Sequence, residues 1–459
     1  MTHRFHPSLL RDYDVRGTVG RTLGEGDAFA LGRSFGTVIV RDGGSKVAVG
    51  RDGRLSSPML ESALVAGLVA TGIIVSRIGA GPTPMLYHAE ATGEVDGAIQ
   101  VTGSHNPRDD NGFKLVKDHA PFFGADLARL GVMAAAGDWE SGQGSVRQAP
   151  AMDAYVDRLL AGFDGPACRI GWDAGNGAAG PVVDQLVQRL PGEHHMLFTD
   201  IDGNFPNHHP DPSQDANLAD LRALVLSKSL DFGVAFDGDG DRIGVIDGMG
   251  RTIAGDQLIG LFAQDVLQNR PGATIVADVK TSQAVFDRIV QLGGTADMWK
   301  TGHSHIKSRM KQINAALGGE MTGHLFFADD YYGYDDGLYA AIRLIRAVGT
   351  SGHSVTAMHD AMPHRVNTPE LRFAVAEDRK FAAMDEIAAR LRAQGADVNM
   401  IDGVRVSTTD GWWLLRASHT EAALVARVES QDAPGLARLL AAVDSQLHQS
   451  GIERPAPEK

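Results

Sequence analysis

The chain has 459 residues, 43% apolar and 22% charged, values of a globular protein long enough for several domains. A formal net charge of −14 argues against a general nucleic-acid binder, although a few convergent cations can still build a cleft for a small anion. No apolar run approaches a membrane span, the N-terminal "MTHRFHPSLLRDYD" lacks the apolar core of a signal peptide, and Cys168 is the only cysteine, so a reducing, cytoplasmic setting without internal disulfides is expected.

In chain order, "KVAVG" reads as a strand, Ser57 to Leu68 as a helix and "GIIVSRIG" as a second strand. "DGAIQV" reads as a buried strand that breaks at Gly103 and leaves Ser104 on a loop. "ESGQGSVRQAP" (Glu140–Pro150) is a polar linker candidate. "CRIGWD", a helical "PVVDQLVQRL" and "HMLFTD" repeat the first pattern, and "ATIVADV", "SQAVFDRIVQLG" and "ADMW" repeat it again. Such strand–helix–strand units imply parallel sheets covered by helices. The last stretch differs. "PELRFAV", a helix from Arg379 to Ala393, "DGVRVST", "GWWLLRA", "ALVARVE" and a helix from Pro434 to Leu447 suggest an α+β domain. With breaks near Gly250 and Pro363–Pro369, the expected domains are three of α/β class, 1–149, 150–251 and 252–364, and one of α+β class, 365–459.

"FDGDGDR" (Phe236–Arg242) follows the apolar strand "FGVAF". Asp237, Asp239 and Asp241 alternate with glycines, and three carboxylates this close repel unless a cation sits among them. Oxygen-only ligands suit a hard ion such as Mg²⁺. The EF-hand pattern fails, because Arg242 stands where Gly is required and Gly248 where Glu is required; an Asp/Gly hairpin turn is the remaining alternative. "RASHTE" offers Arg416, Ser418 and Thr420 at a strand mouth, a donor set for phosphate or an ordinary polar strand end. "GGEMTGH" places Glu320, Thr322 and His324 on one alternation, suited to sugar hydroxyls and proton transfer, or simply a turn beside a core histidine. "GNGAAG" (Gly175–Gly180) fits a dinucleotide fingerprint, with Asp200 further on, but a tight strand-to-helix turn needs glycines anyway. Tyr13, Arg16, Lys114, Lys280 and His303 are scattered polar residues that a solvated face would also explain. No G-x-S-x-G surrounds Ser104, so a hydrolase serine is disfavoured. A serine that carries a phosphoryl group needs a loop that presents its Oγ, a divalent cation and surrounding cations, for which the Ser104 loop, the Asp cluster, Arg16, Lys114 and Arg242 are candidates.

"YDVRG", "TGSHNP", "NGFK", "DGDGDR", "TGHS", "GEMTGH" and "RASHTE" together resemble the α-D-phosphohexomutases, nearly end to end and in the family's order; "GEMTGH" is most similar to the phosphomannomutase/phosphoglucomutase branch. The resemblance implies three similar α/β domains with mixed sheets and a fourth α+β domain, heart-shaped around a central cleft. It implies reversible phosphoryl transfer between hexose 1-phosphate and hexose 6-phosphate, of glucose and mannose, with Ser104 as phosphoserine. Asp237, Asp239, Asp241 and a phosphate oxygen on Ser104 would hold Mg²⁺, and glucose 1,6-bisphosphate would serve as activator. Glu320 and Thr322 would grip sugar hydroxyls, and Arg416, Ser418 and Thr420 the phosphate not in transfer. Lys114 and His324 would move protons, with Tyr13, Arg16, Arg242, Lys280 and His303 lining the cleft. The chain would act on small sugar phosphates as a monomer, without nucleic acid or membrane. Departures from the pattern are Thr322 for Ser, His419 for Asn and Ala422 for Pro. A Mg²⁺-dependent phosphatase is the alternative, against which a second phosphate site argues; a non-catalytic sensor would be expected to lose the serine or an aspartate.

Overall fold

A computed structural model describes residues 2–418 and 422–454. They form four sheets. The first runs in the order Val15–Thr18, Asp110–Lys117, Gly97–Val101, Lys46–Arg51, Ile74–Ala80 and Ser145–Gln148, with Ala120–Pro121 paired beside Asp110–Lys117. The expected linker therefore contains an exposed edge strand, Ser145–Gln148, parallel to Ile74–Ala80. The second sheet runs Thr252–Ile253, Ile243–Asp247, Phe232–Phe236, Cys168–Asp173, Gly192–Leu197, and so reaches past the break expected near Gly250. The third runs Thr295–Trp299, Thr274–Asp278, Leu317–Gly319, Leu325–Phe327.

The sheets are mixed, and the place where the direction reverses matters. Gly97–Val101 is parallel to Lys46–Arg51 but antiparallel to Asp110–Lys117, with Val101 opposite Phe113. Phe232–Phe236 is parallel to Cys168–Asp173 but antiparallel to Ile243–Asp247. Leu317–Gly319 is parallel to Thr274–Asp278 but antiparallel to Leu325–Phe327. Each of the first three sheets thus turns a hairpin at the carboxyl end of a parallel strand, where open α/β sheets place their ligands. The Ser104 loop, the Asp237–Arg242 loop and the Glu320–His324 turn are those three hairpin connections. The strands before the first two are buried throughout, which is why the sequence there reads as unbroken apolar runs.

The fourth sheet is antiparallel throughout its main path, Val366–Asn367, Ala423–Ser430, Gly411–Ala417, Val404–Thr408, Val398–Asn399, with Leu371–Ala374 also paired to Ala423–Ser430. The helices Glu377–Ala393 and Ala433–His448 supply its apolar cover, and the hairpin Gly411–Ala417/Ala423–Ser430 carries the fourth chemistry-bearing loop. One apolar cluster runs through the first three sheets, from Ala98 and Met85 through Trp172 and Phe236 to Phe262 and Leu317. The fourth unit has its own core around Phe373, Ile387, Trp413 and Leu439. Among the described residues no helix is long and apolar enough to cross a membrane.

Candidate active site

Ser104 is buried and holds a left-handed φ of 48°, uncommon outside glycine. The loop around it is fixed from below. Its N–H donates to Thr102 Oγ1 at 2.8 Å, and its carbonyl accepts from Arg54 Nη2 at 2.7 Å. The Arg54 guanidinium, 1% exposed, also donates to the carbonyls of Asn106 and Pro107 at 2.6 Å and of Asp110 at 2.9 Å. Gly103 is required here, since a Cβ would fall 2.4 Å from Arg54 Nε. Arg16 bonds the Asn106 side chain and pairs with Asp14 at 2.7 Å. So held, Ser104 Oγ donates to Asp237 Oδ2 at 2.8 Å.

Asp237, Asp239 and Asp241 are wholly buried, with carboxylate oxygens within 4.8 Å of one another. Lys114 Nζ reaches Asp239 Oδ2 at 2.8 Å and also bonds Asp241; the Thr83 hydroxyl bonds Asp239. Burial, then the charges of Asp239 and Asp241, push the Asp237 carboxyl well above its usual range. Burial would raise Asp239 too, but the Lys114 ammonium outweighs it and holds Asp239 low. Burial opposes the charge on Lys114, and Asp239 and Asp241 overcome it, so Lys114 stays protonated. Oδ1 of Asp239 and Oδ1 of Asp241 are buried without a hydrogen-bond partner among the described residues. Orphaned oxygens in an all-carboxylate set fit a hard divalent cation.

His324 closes this cluster. Its Nε2 accepts from Arg242 Nε at 2.9 Å, and its Nδ1 lies 3.0 Å from Asp335 Oδ2, although neither Nδ1 nor Asp335 Oδ2 makes a hydrogen bond of normal geometry among the described residues. The His303 ring stacks on it at 5.5 Å between centroids, and burial followed by the Lys307 charge keeps His303 neutral, well below the usual imidazole range. Glu320, on the same turn as His324, is buried, accepts from the Gly302 N–H and is raised by its burial. Thr322 is partly buried at the turn.

A second group gathers at the fourth hairpin. Arg416 Nε donates to Asp402 Oδ2 at 3.0 Å, while its Nη2 is buried without a partner among the described residues. The same Asp402 oxygen accepts from Thr301 N at 3.0 Å, and the Thr301 carbonyl accepts from the Tyr13 hydroxyl at 3.0 Å. Lys280 pairs with Glu370 at 3.2 Å. Ser418 is buried, its N–H bonded to the Ala423 carbonyl at 2.9 Å. Thr420 and His419 lie outside the described residues.

The structure thus links Ser104, Lys114, the three aspartates, Arg242 and His324 by direct contacts, and ties Tyr13 to Arg416 through Thr301 and Asp402. Sequence reading missed Arg54, Thr83, Asp335 and Asp402. Asp402 carried one available signal, an acidic residue beside glycine in "IDGV", and Asp335 another, as the first of two adjacent acids before a glycine in "YDDG". The Gly175–Gly180 turn has a structural explanation: Ala178 N donates to the Gly238 carbonyl at 3.0 Å, and a Cβ on Gly177 would meet that oxygen at 2.9 Å. The glycines let this turn buttress the aspartate loop.

Family models match the chain in four consecutive stretches. They are the phosphoglucomutase/phosphomannomutase α/β/α domain I over residues 7–129, domain II over 153–250, domain III over 254–366 and the C-terminal domain over 370–446. The chain is 42% identical to a phosphomannomutase/phosphoglucomutase of Pseudomonas putida, over 94% of each chain. It is 40% identical to a phosphoglucomutase of Neisseria gonorrhoeae, over 94% of this chain and 95% of that one. A crystal structure of a phosphoglucomutase/phosphomannomutase family protein from Burkholderia thailandensis superposes with a TM-score of 0.92 at 40% identity, covering 97% of this chain and 98% of that one.

Proposed function

We propose, from the premise that this chain belongs to the phosphoglucomutase/phosphomannomutase family, that it interconverts the 1- and 6-phosphates of glucose and mannose by carrying a phosphoryl group on Ser104. The observation that carries the reading is the hydroxyl of Ser104 hydrogen-bonded into a cluster of three buried carboxylates and one lysine. Four units, expected as 1–149, 150–251, 252–364 and 365–459 but with the second sheet extending to Ile253, each give one hairpin loop to the cleft.

The free hydroxyl of a bound hexose 1-phosphate attacks the phosphorus of phospho-Ser104. A P–O bond to the sugar forms, the P–Oγ bond breaks, and the hydroxyl proton passes to a base, for which His324 Nε2 is our assignment once Arg242 turns to the phosphoryl oxygens. Lys114, held protonated, serves as a counter-charge and proton donor. Asp237, Asp239, Asp241 and a phosphate oxygen on Ser104 would hold Mg²⁺, which neutralises the charge of the transferring group. The resulting 1,6-bisphosphate turns over in the cleft, its other phosphate returns to Ser104, and hexose 6-phosphate leaves. Glu320 and Thr322 address O3 and O4. Arg416, whose buried Nη2 lacks a protein partner among the described residues, binds the idle phosphate with Ser418 and Thr420, with Tyr13 and Lys280 beside them, while Arg16 acts at the Ser104 loop and His303 lines the cleft beside His324. Glucose 1,6-bisphosphate primes Ser104. The enzyme is read as a cytoplasmic monomer acting on small sugar phosphates, without nucleic acid or membrane.

Two measurements test this. Intact mass after exposure to glucose 1,6-bisphosphate should show one added phosphoryl group, absent in Ser104→Ala; equal labelling of both proteins would remove Ser104 as the carrier. A coupled assay should give glucose and mannose 1-phosphates kcat/KM values within roughly tenfold, ~1.4 kcal/mol, because the two sugars share O3 and O4 and an unread C2 hydroxyl carries little penalty. Release of free phosphate instead of isomerised sugar would favour the phosphatase.

A further inference from the structure

Beside the cleft, and lined by none of the residues assigned to it, lies a cavity of about 690 Å³. Its walls come from the helix Thr83–Thr92 and the strand ends near Ala120–Pro121 on one side, and from the helix His303–Ile313 and residues 328–334 on the other. The volume lies within the roughly 300–1,000 Å³ of small-molecule sites.

Two features of its lining select a ligand. The first is flat and apolar. Tyr87 and Tyr334 lie 5.5 Å apart at their ring centroids, and Tyr332 stacks on Tyr334 at 5.7 Å with planes 6° apart. The Tyr334 hydroxyl is buried without a hydrogen bond of normal geometry among the described residues. The second is positive. Lys311 donates only to the carbonyls of Asp118, at 3.3 Å, and His119, at 3.4 Å, and has no ion-pair partner among the described residues. The carboxylate in the lining, Glu90, is already taken by the N–H and ring of His119, at 2.9 and 3.0 Å. Lys307 is satisfied by Asp335 at 2.7 Å and lies 4.3 Å from the centroid of the Tyr87 ring. An anion entering here finds one ammonium with no carboxylate in ion-pair contact among the described residues, beside a wall of tyrosine faces, with the hydrogen-bonded Glu90 carboxylate as the one opposing charge in the lining.

We infer that this cavity binds a small organic anion built on a flat ring, an aryl or nucleobase phosphate, with the ring among Tyr87, Tyr332 and Tyr334 and the anionic end on Lys311. Aromatic stacking and a charge-assisted contact would each contribute, and neither half of the ligand suffices alone.

Calorimetric titration of the full enzyme, its cleft filled with glucose 1,6-bisphosphate and Mg²⁺, tests this with phenyl phosphate and adenosine 5′-monophosphate as probes. Both should bind, with inorganic phosphate weaker by at least about tenfold. Lys311→Glu removes the cation and Ala91→Trp fills the cavity. Each should weaken both probes by about tenfold or more while mutase turnover without the probes stays unchanged. That unchanged turnover also shows that the variants fold and separates this site from the reading of the cleft. Lys311 is exposed, so its variant carries the test if the tryptophan is not accommodated. The inference is overturned if neither probe binds the wild-type chain, if binding survives both substitutions, or if inorganic phosphate binds as well as the probes.

Discussion

Arg54 acts on main chain rather than on charge alone. Its guanidinium gathers four carbonyls of the Ser104 loop and lies 3.4 Å from Asp52, which itself caps Arg54 N and accepts from Gly103 N. Replacing it by Met leaves four carbonyls without their donors and Asp52 without its cation. Removing one partner of a buried pair costs about 3–5 kcal/mol, so Arg54→Met should lower the urea midpoint correspondingly. The phosphorylated fraction of Ser104 should fall as well, because the left-handed φ of 48° is then no longer imposed. Lys, with one point of donation, should restore part of the stability but not the labelling; full labelling in Arg54→Met would deny the arginine this role. Ser104, the aspartates and Arg416 were legible because their spacing carries chemistry within a few residues. Arg54 was not, because its partners are main-chain carbonyls some fifty residues along the chain, and carbonyls leave no trace in composition.

At the scale of elements, apolar runs gave the buried strands and period gave the helices, so Phe232–Phe236 and Glu377–Ala393 were readable. The antiparallel return strands were harder. Asp110–Lys117 contains Asn, Gly and two lysines, and is buried because its polar groups serve the cleft, as Lys114 does. The Gly175–Gly180 turn shows the converse, a strong pattern whose cause is packing. Its base is Asp173, which accepts from Gly175 N at 2.9 Å and meets His208 Nε2 at 3.0 Å. Burial opposes protonation of His208, but the hydrogen bond and charge of Asp173 outweigh it and raise its pKa above 6.5. A raised folded pKa means that the unfolded chain binds fewer protons in that window. The contribution is complete below pH ~6.5 and is lost as pH rises through the folded value. His208→Gln should therefore flatten the decline of the urea midpoint above pH ~6.5. A variant with the wild-type slope would show that the pair is not linked to folding.

In the whole molecule one apolar cluster joins the first three sheets, the first sheet packs a further core of its own around Phe35, Val49, Leu64 and Phe113, and the fourth sheet has a separate core. The seam between the fourth and the rest is polar. Arg405 Nη1 donates to the carbonyls of Val279 and Thr281 at 2.7 and 2.8 Å, Arg427 pairs with Asp256 at 2.8 Å, and a small apolar cluster of Val279, Trp412 and Leu414, with Met298 and Ile401 against it, lies beside them. Such interfaces resemble those between separable domains. Scanning calorimetry should resolve two transitions, with hydrogen exchange placing residues 365–454 in one of them and the other three sheets together in the second. A single transition coincident by all probes would mean that the polar seam couples the cores fully. Sequence reading separated the last unit by its order of strands and helices, but the cluster shared by the first three could not be read, because pattern shows which face is buried and not against what.

That seam has a consequence for how the molecule meets its substrate. The groups proposed to make and break bonds sit on the first three sheets, and Arg416, proposed to hold the idle phosphate, sits on the unit beyond the seam. In that reading, part of what holds a sugar phosphate lies across the seam from what reacts with it. Mutation along the seam can retune residence time while leaving the reacting atoms where they are.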